Sequence, residues 1–187
     1  MCSGLVLQEY ISKYLEGGTN SLRFFSYGSN MNVGKFRRDT KKTGLEFGLE
    51  NVEVGILHGF KRILGNKSKN HGCAFTICSS EGDCVQGICH DIPVICLETF
   101  LKKEGVLQSE PTYELLIVTI SNEGSPVLTL RGLKPVKPKE LNCNEKLKAF
   151  HYVCTSIEGA ERWNVNHSDM LELKDWFEEE ICSKNHS

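Results

Sequence analysis

Leu22 to Tyr27 reads as an apolar strand, and it runs directly into Gly28-Ser29-Asn30-Met31. Glycine lets the backbone turn sharply after a strand and come close to a ligand, because no Cβ intervenes. The turn leaves backbone N–H groups without strand partners, a cluster suited to a carboxylate, a phosphate or a developing oxyanion. Alone, such a turn is an ordinary strand exit, so its meaning depends on the residues downstream. One extension fails at once. Gly28 to Phe36 looks like a Walker A loop, but five residues separate Gly28 from Gly34 where four are needed, and Phe36 stands where the magnesium-binding Ser or Thr belongs.

The chain supplies strands first and most of its helices later. An amphipathic helix over 5–16, stopped by Gly17-Gly18, is expected to form an extension, 1–20, ahead of a single domain, 21–187. Asn30 is the candidate cap of a helical segment over 31–38. Apolar residues over 45–64 predict two strands with a turn at His58-Gly59, then a second turn at Gly65-Asn66. Cys73 to Cys78 reads as a buried strand, Ser79 to Asp83 as a turn, and Val85 to His90 as the hairpin partner. Pro93 opens a helix that Gly105 ends. Tyr113 to Ser121 is a nearly continuous apolar strand, and Asn122 to Ser125 turns it into Val127 to Leu130. Two helices complete the chain. The first, 144–158, is stopped by Gly159; the second, 168–182, is capped by Asn166 or Ser168 and buries Leu171, Trp176, Phe177 and Ile181. Antiparallel neighbours with helices inserted late mean α+β. The expected form is a small, mixed, mostly antiparallel β-barrel or strongly curved sheet flanked by helices.

Charge narrows the partners. With 22 basic and 24 acidic residues the formal charge is −2, which gives no electrostatic case for nucleic acid or an anionic membrane. No apolar run approaches the ~18 residues of a membrane span, and no secretory leader is legible, so the cytosol is the expected compartment. The nine cysteines include no C-x-x-C. Cys73 and Cys78 are an odd number of residues apart in a strand, as are Cys84 and Cys89, which puts each pair on opposite faces. Free thiols packed as small hydrophobes are expected. His58, His71, His90 and His151 have no metal-ligand spacing and read as turn or surface residues. Trp163 and Trp176 read as packing residues, and Lys134, Lys137, Lys139, Lys146 and Lys148 as a solvated face.

Several separate segments resemble the γ-glutamylcyclotransferase-like family. Phe25 to Met31 resembles its Y-G-S-N signature. Leu57 to Asn66 is similar to its next strand pair, which ends in a Gly-Asn or similar turn. His71 to Ile77, Glu81 to Asp83 and Val85 to Ile88 resemble its central hairpin, in order. Glu104-Gly105-Val106 resembles the helix end that carries the family's catalytic glutamate, and Tyr113 falls where a tyrosine usually comes next. Tyr152, seven residues before Gly159, matches a later substrate-contacting tyrosine in spacing. It is also spaced as a core residue of its helix, and its lead-in is lysine-rich where the family has a small Pro-Ser segment.

The resemblance implies conversion of a γ-glutamyl amino acid into 5-oxoproline and a free amino acid. The substrate's α-amino group attacks its own γ-carbonyl, a tethered pair for which positioning is worth about 10⁵–10⁸ M of effective molarity. No metal, cofactor or enzyme nucleophile is called for. Glu104 is the implied general acid/base. Apolar surroundings would make it a stronger base, and Phe100, Val106 and Leu107 are the candidate walls. The implied substrate-binding residues are Phe24, Phe25, Ser26, Tyr27, Gly28, Ser29, Asn30, Tyr113 and Tyr152. Relatives acting on glutathione usually carry Leu where Asn30 stands. Others act on γ-glutamyl-ε-lysine and similar amines, and a silent binding module would lack the glutamate. The expected partner is a small γ-glutamyl molecule; neither nucleic acid nor membrane is expected, and homodimerisation is left open.

Overall fold

β1 (Ser21–Ser26) is the strand on which both cores are built. Successive side chains of a strand point to opposite faces. Leu22 and Phe24 therefore enter one apolar cluster, and Phe25, with Tyr27 beyond it, enters another. The strand is buried because it is central: it pairs antiparallel with β3 (Gly72–Pro93) on one side and parallel with β5 (Val127–Gly132) at Phe24 and Leu128 on the other. β2 (Glu50–Ser68) and β4 (Tyr113–Val118) complete a five-stranded sheet of order β2-β3-β1-β5-β4. The computed structural model describes residues 12, 20–44, 47–121 and 126–183. The expected extension at 1–20, with its helix, and the turn at 122–125 lie essentially outside these residues.

Four α-helices lie in the described residues: α1 (Val33–Lys42), α2 (Val94–Lys103), α3 (Cys143–Arg162) and α4 (Ser168–Cys182). The cluster holding Leu22 and Phe24 is completed by Phe36 of α1 and by Leu97, Phe100 and Leu101 of α2. The cluster holding Phe25 is completed by Tyr152, Val153 and Ile157 of α3 and by Met170 and Phe177 of α4. The α+β class stands as expected. The sheet is open and not a closed barrel, although single bridges from Ile56 to Ser121 and from Asn66 to Pro135 tie the far edge of β2 to the chain beyond β4 and β5. No helix among the described residues is long and apolar enough to cross a membrane.

Three expected turns are irregularities inside one long hairpin. Ser68 pairs with Gly72, and the antiparallel ladder continues to Glu50 and Asp91. Its register shifts between His58 and Phe60 and between Leu64 and Asn66. His58-Gly59 and Gly65-Asn66 are therefore not turns between strands. Residues 80–83 bulge out opposite Gly59, so Cys73–Cys78 and the stretch from Val85 to Cys89 both pair with β2 and not with each other. The reason is chemical. Gly59 and Gly82 have φ of +77° and +83°, and a bulge uses the same left-handed glycines as a turn.

The helix ends bring further corrections. Asn32, not Asn30, caps α1, accepting from the Lys35 N–H at 2.9 Å. Asn30 sits instead in a single 3-10 turn, Ser29–Met31. Gly159 does not stop α3, which continues to Arg162. The last helix matches the expected 168–182, but its N-cap is His167, not Asn166 or Ser168; Asn166 Oδ1 accepts from the Ser168 N–H at 3.2 Å just ahead of it. Leu171 is exposed where burial was expected. Gly105 follows Glu104 with φ +77°, as a helix-ending glycine should. Cys73 and Cys89 are core residues, Cys78 is half-buried and Cys84 is exposed. Burial pushes the Cys73 thiol up to about 11.

Candidate active site

The loop after β1 is held from three directions. The Tyr27 hydroxyl donates to the Leu130 carbonyl, and the Tyr27 carbonyl accepts from Arg62 Nη1 at 3.1 Å. That guanidinium is buried, with Nε donating to Asp169 at 2.8 Å and its plane near the Phe75 ring. At Gly28 a Cβ would lie 2.8 Å from the Tyr152 hydroxyl. On the far side Gly159 lets α3 touch the loop directly, since a Cβ there would meet the Asn32 nitrogen at 2.6 Å and the Met31 carbonyl carbon at 2.7 Å. Trp163 Nε1 donates to the Met31 carbonyl at 2.9 Å, and Asn32 Nδ2 donates to Glu158 at 2.9 Å.

A cavity of about 640 Å³ opens beside this loop, within the range usual for small-molecule sites. Glu104 and all nine residues expected to contact substrate line it. They do so unequally. The rings of Phe24 and Phe25 belong to the two cores, and the Ser26 hydroxyl is engaged by His90 Nε2 at 3.0 Å. Ser29, Asn30, Tyr113 and Tyr152 bring side-chain polar groups to it.

Glu104 ends α2 with its side chain 16% exposed. Its Oε1 accepts from Lys103 Nζ at 2.8 Å and from Asn30 Nδ2 at 3.4 Å. The Asn30 contact follows from the capping pattern: because Asn32 takes the cap, Asn30 is free to reach across. The expected walls are not the walls. Phe100 is buried in the other core, Leu107 is exposed, and neither they nor Val106 line the cavity. Its aromatic lining includes Tyr27, Phe75, Tyr113 and Tyr152.

The tyrosines are phenols at neutral pH. Burial pushes Tyr152 up to about 12, and it raises Tyr27 and Tyr113 well above the ordinary value. The Tyr152 hydroxyl accepts from the Phe75 N–H at 3.3 Å and lies within reach of the Ser29 hydroxyl and N–H. A buried phenol among such donors can present its own O–H to a ligand.

Several residues of the site escaped the sequence reading. His71, at the β2–β3 turn, lines the cavity with its ring 4.9 Å from that of Tyr152. Burial lowers it to about 4, so it is a neutral imidazole there. Its signal was its place just before the buried Cys73 strand. His90 is fully buried between Phe24 and Phe36 and is likewise lowered to about 4 by burial. The turn-or-surface reading is corrected for His90; His71 does lie in a turn, half-buried. Lys146 is also buried, paired with Glu180 over the Trp176 ring, and not part of a solvated face. Four lysines reach the cavity: Lys35, Lys42, Lys69 and Lys103.

No family model matches the chain, and no curated protein matches it in sequence. Solved structures do. YkqA from Bacillus subtilis superposes with a TM-score of 0.63 at 20% identity, over 89% of this chain and 57% of that one. A γ-glutamyl cyclotransferase superposes with a TM-score of 0.59 at 19% identity, over 82% of this chain and 86% of that one. The chain has the γ-glutamylcyclotransferase-like fold. A yeast γ-glutamyl cyclotransferase specific to glutathione shares it at 11% identity and a TM-score of 0.55, over 85% of this chain and 97% of that one. In the γ-glutamylcyclotransferase-like fold of this chain, β1 supplies the loop, α2 ends at Glu104, and α3 backs the loop with Tyr152, Gly159 and Trp163.

Proposed function

We propose that the chain is a γ-glutamylcyclotransferase acting on small γ-glutamyl amino acids. The observation that carries this reading is the contact of Asn30 Nδ2 with Glu104 Oε1 at 3.4 Å, which joins the Gly28–Asn30 loop to the only carboxylate among the expected site residues. In the proposed reaction Glu104 takes a proton from the substrate α-ammonium. The freed amine attacks the γ-carbonyl carbon, a C–N bond forms, and a tetrahedral oxyanion develops. N–H groups at the start of the Ser29–Met31 turn, ahead of its first bond from the Met31 N–H to the Gly28 carbonyl, can donate to either this oxyanion or the α-carboxylate, the Ser29 N–H by exchanging the Tyr152 hydroxyl for it. Collapse breaks the original amide bond, and Glu104 returns the proton to the leaving amine. Tyr113 and Tyr152 serve as neutral hydroxyl donors that shape the pocket around the γ-glutamyl part. The atoms balance with no added reactant: one amide is exchanged for the lactam of 5-oxoproline. The test is release of 5-oxoproline from γ-glutamyl-alanine by the wild type and by Glu104→Gln.

A further inference from the structure

The rim of the cavity carries an excess of positive charge that the cyclisation does not use. Four lysines line it against two carboxylates, Asp39 and Glu104. Each carboxylate already has a lysine. Lys35 Nζ is 2.6 Å from Asp39, and Lys103 Nζ is 2.8 Å from Glu104. Lys42 and Lys69 are exposed, and among the described residues neither forms an ion pair. Lys42 is the last residue of α1, the helix that also carries Lys35 and Asp39. This concentration of cation stands in a chain whose formal charge is −2. A cleft lined by one sign of charge raises the local concentration of ligands of the other.

The floor and the rim differ in kind. Tyr27, Phe75 and Tyr152 are buried, so the end next to the Gly28 loop is aromatic and dry, while Lys42 and Lys69 meet solvent. In the proposed reaction the γ-glutamyl group sits at the loop, and the group joined to its γ-carbonyl is the part left to meet the rim. We propose that the rim formed by Lys42 and Lys69, with Lys35 and Lys103 behind it, is an anion subsite for the leaving group. This rests on the cyclotransferase reading for its orientation. The chain then selects γ-glutamyl compounds whose second half carries carboxylates: an acidic amino acid before a neutral one, and either before an amine without a carboxylate.

The test uses three peptides that differ only beyond the γ-amide: γ-glutamyl-glutamate, γ-glutamyl-alanine and γ-glutamyl-alaninamide. Their dissociation constants are measured by calorimetry on the full chain carrying Glu104→Gln, which removes turnover, with and without Lys42→Ala/Lys69→Ala, at low and high salt. The expected order of affinity is glutamate, alanine, alaninamide. The span from first to last is about five- to tenfold at low salt, the effect of two partly exposed ion pairs. It contracts when the two lysines are replaced and at high salt. Equal affinities, an order unchanged when the two lysines are replaced, or no binding of any peptide would overturn the subsite. Release of 5-oxoproline from the same peptides is followed with the wild type. Graded binding without release would remove the cyclotransferase reading and leave the subsite standing.

Discussion

The hydroxyl of Tyr152 occupies the space that a side chain at position 28 would need: a Cβ on Gly28 would stand 2.8 Å from it. The loop after β1 and the helix that backs it are thus fitted to each other at one atom. Gly28→Ala is expected to lower stability by about 1–3 kcal/mol, the usual cost of overpacking. The obstacle is a single hydroxyl, so Gly28→Ala/Tyr152→Phe is expected to recover part of that loss. A double-mutant cycle by chemical denaturation measures the coupling. Strictly additive effects would show that the two positions do not meet.

Gly159 offers a prediction of sign. In an exposed helix interior, Gly→Ala stabilises by about 1 kcal/mol. Here the new Cβ would meet the backbone of Met31 and Asn32 at 2.6–2.7 Å, and backbone cannot swing aside. Gly159→Ala is therefore expected to destabilise, by roughly 1–3 kcal/mol, and to weaken substrate affinity by shifting the loop. A thermal melt that moved upward would contradict this packing.

His90 makes stability depend on pH. Burial lowers it from 6.5 to about 4 in the folded chain. Between those values the unfolded chain takes up a proton that the folded chain refuses. Stability therefore falls as pH drops from about 6.5 towards 4, with a limiting slope of ~1.4 kcal/mol per pH unit for one proton. His71, also lowered to about 4, acts in the same direction. Urea titrations between pH 4.5 and 7.5 should show the decline, with a shallower slope in His90→Gln. A flat profile in the wild type would mean that His90 is charged or solvated in the fold.

Much of the fold was legible because the relevant signals are local. β1 and its glycine, the helix at 168–182 and the end of α2 at Gly105 all lay close to where patterning put them. The misreadings share a cause. Gly59, Gly82 and the Gly65-Asn66 pair carry turn chemistry, yet a long bent hairpin uses that chemistry for bulges, and only the pairing partner decides between the two. Gly159 was read as a stop because sequence does not reveal that another segment lies against it. The candidate site was legible in its residues but not in its surroundings. Lys103 precedes Glu104 in sequence, but its approach to Oε1 depends on how α2 meets the loop. His90 and Lys146 looked exposed by residue type, and only the packing of α1, α3 and α4 buries them.

The most direct test of the proposed reaction is the appearance of 5-oxoproline and free alanine from γ-glutamyl-alanine, followed together for the wild type and Glu104→Gln. The prediction is one-to-one release by the wild type. The loss expected in the variant is about 10²–10⁴-fold in turnover, the usual contribution of a general acid/base, with an unchanged melting profile. Turnover by Glu104→Gln close to that of the wild type, or no release by folded wild-type protein, would contradict the assignment.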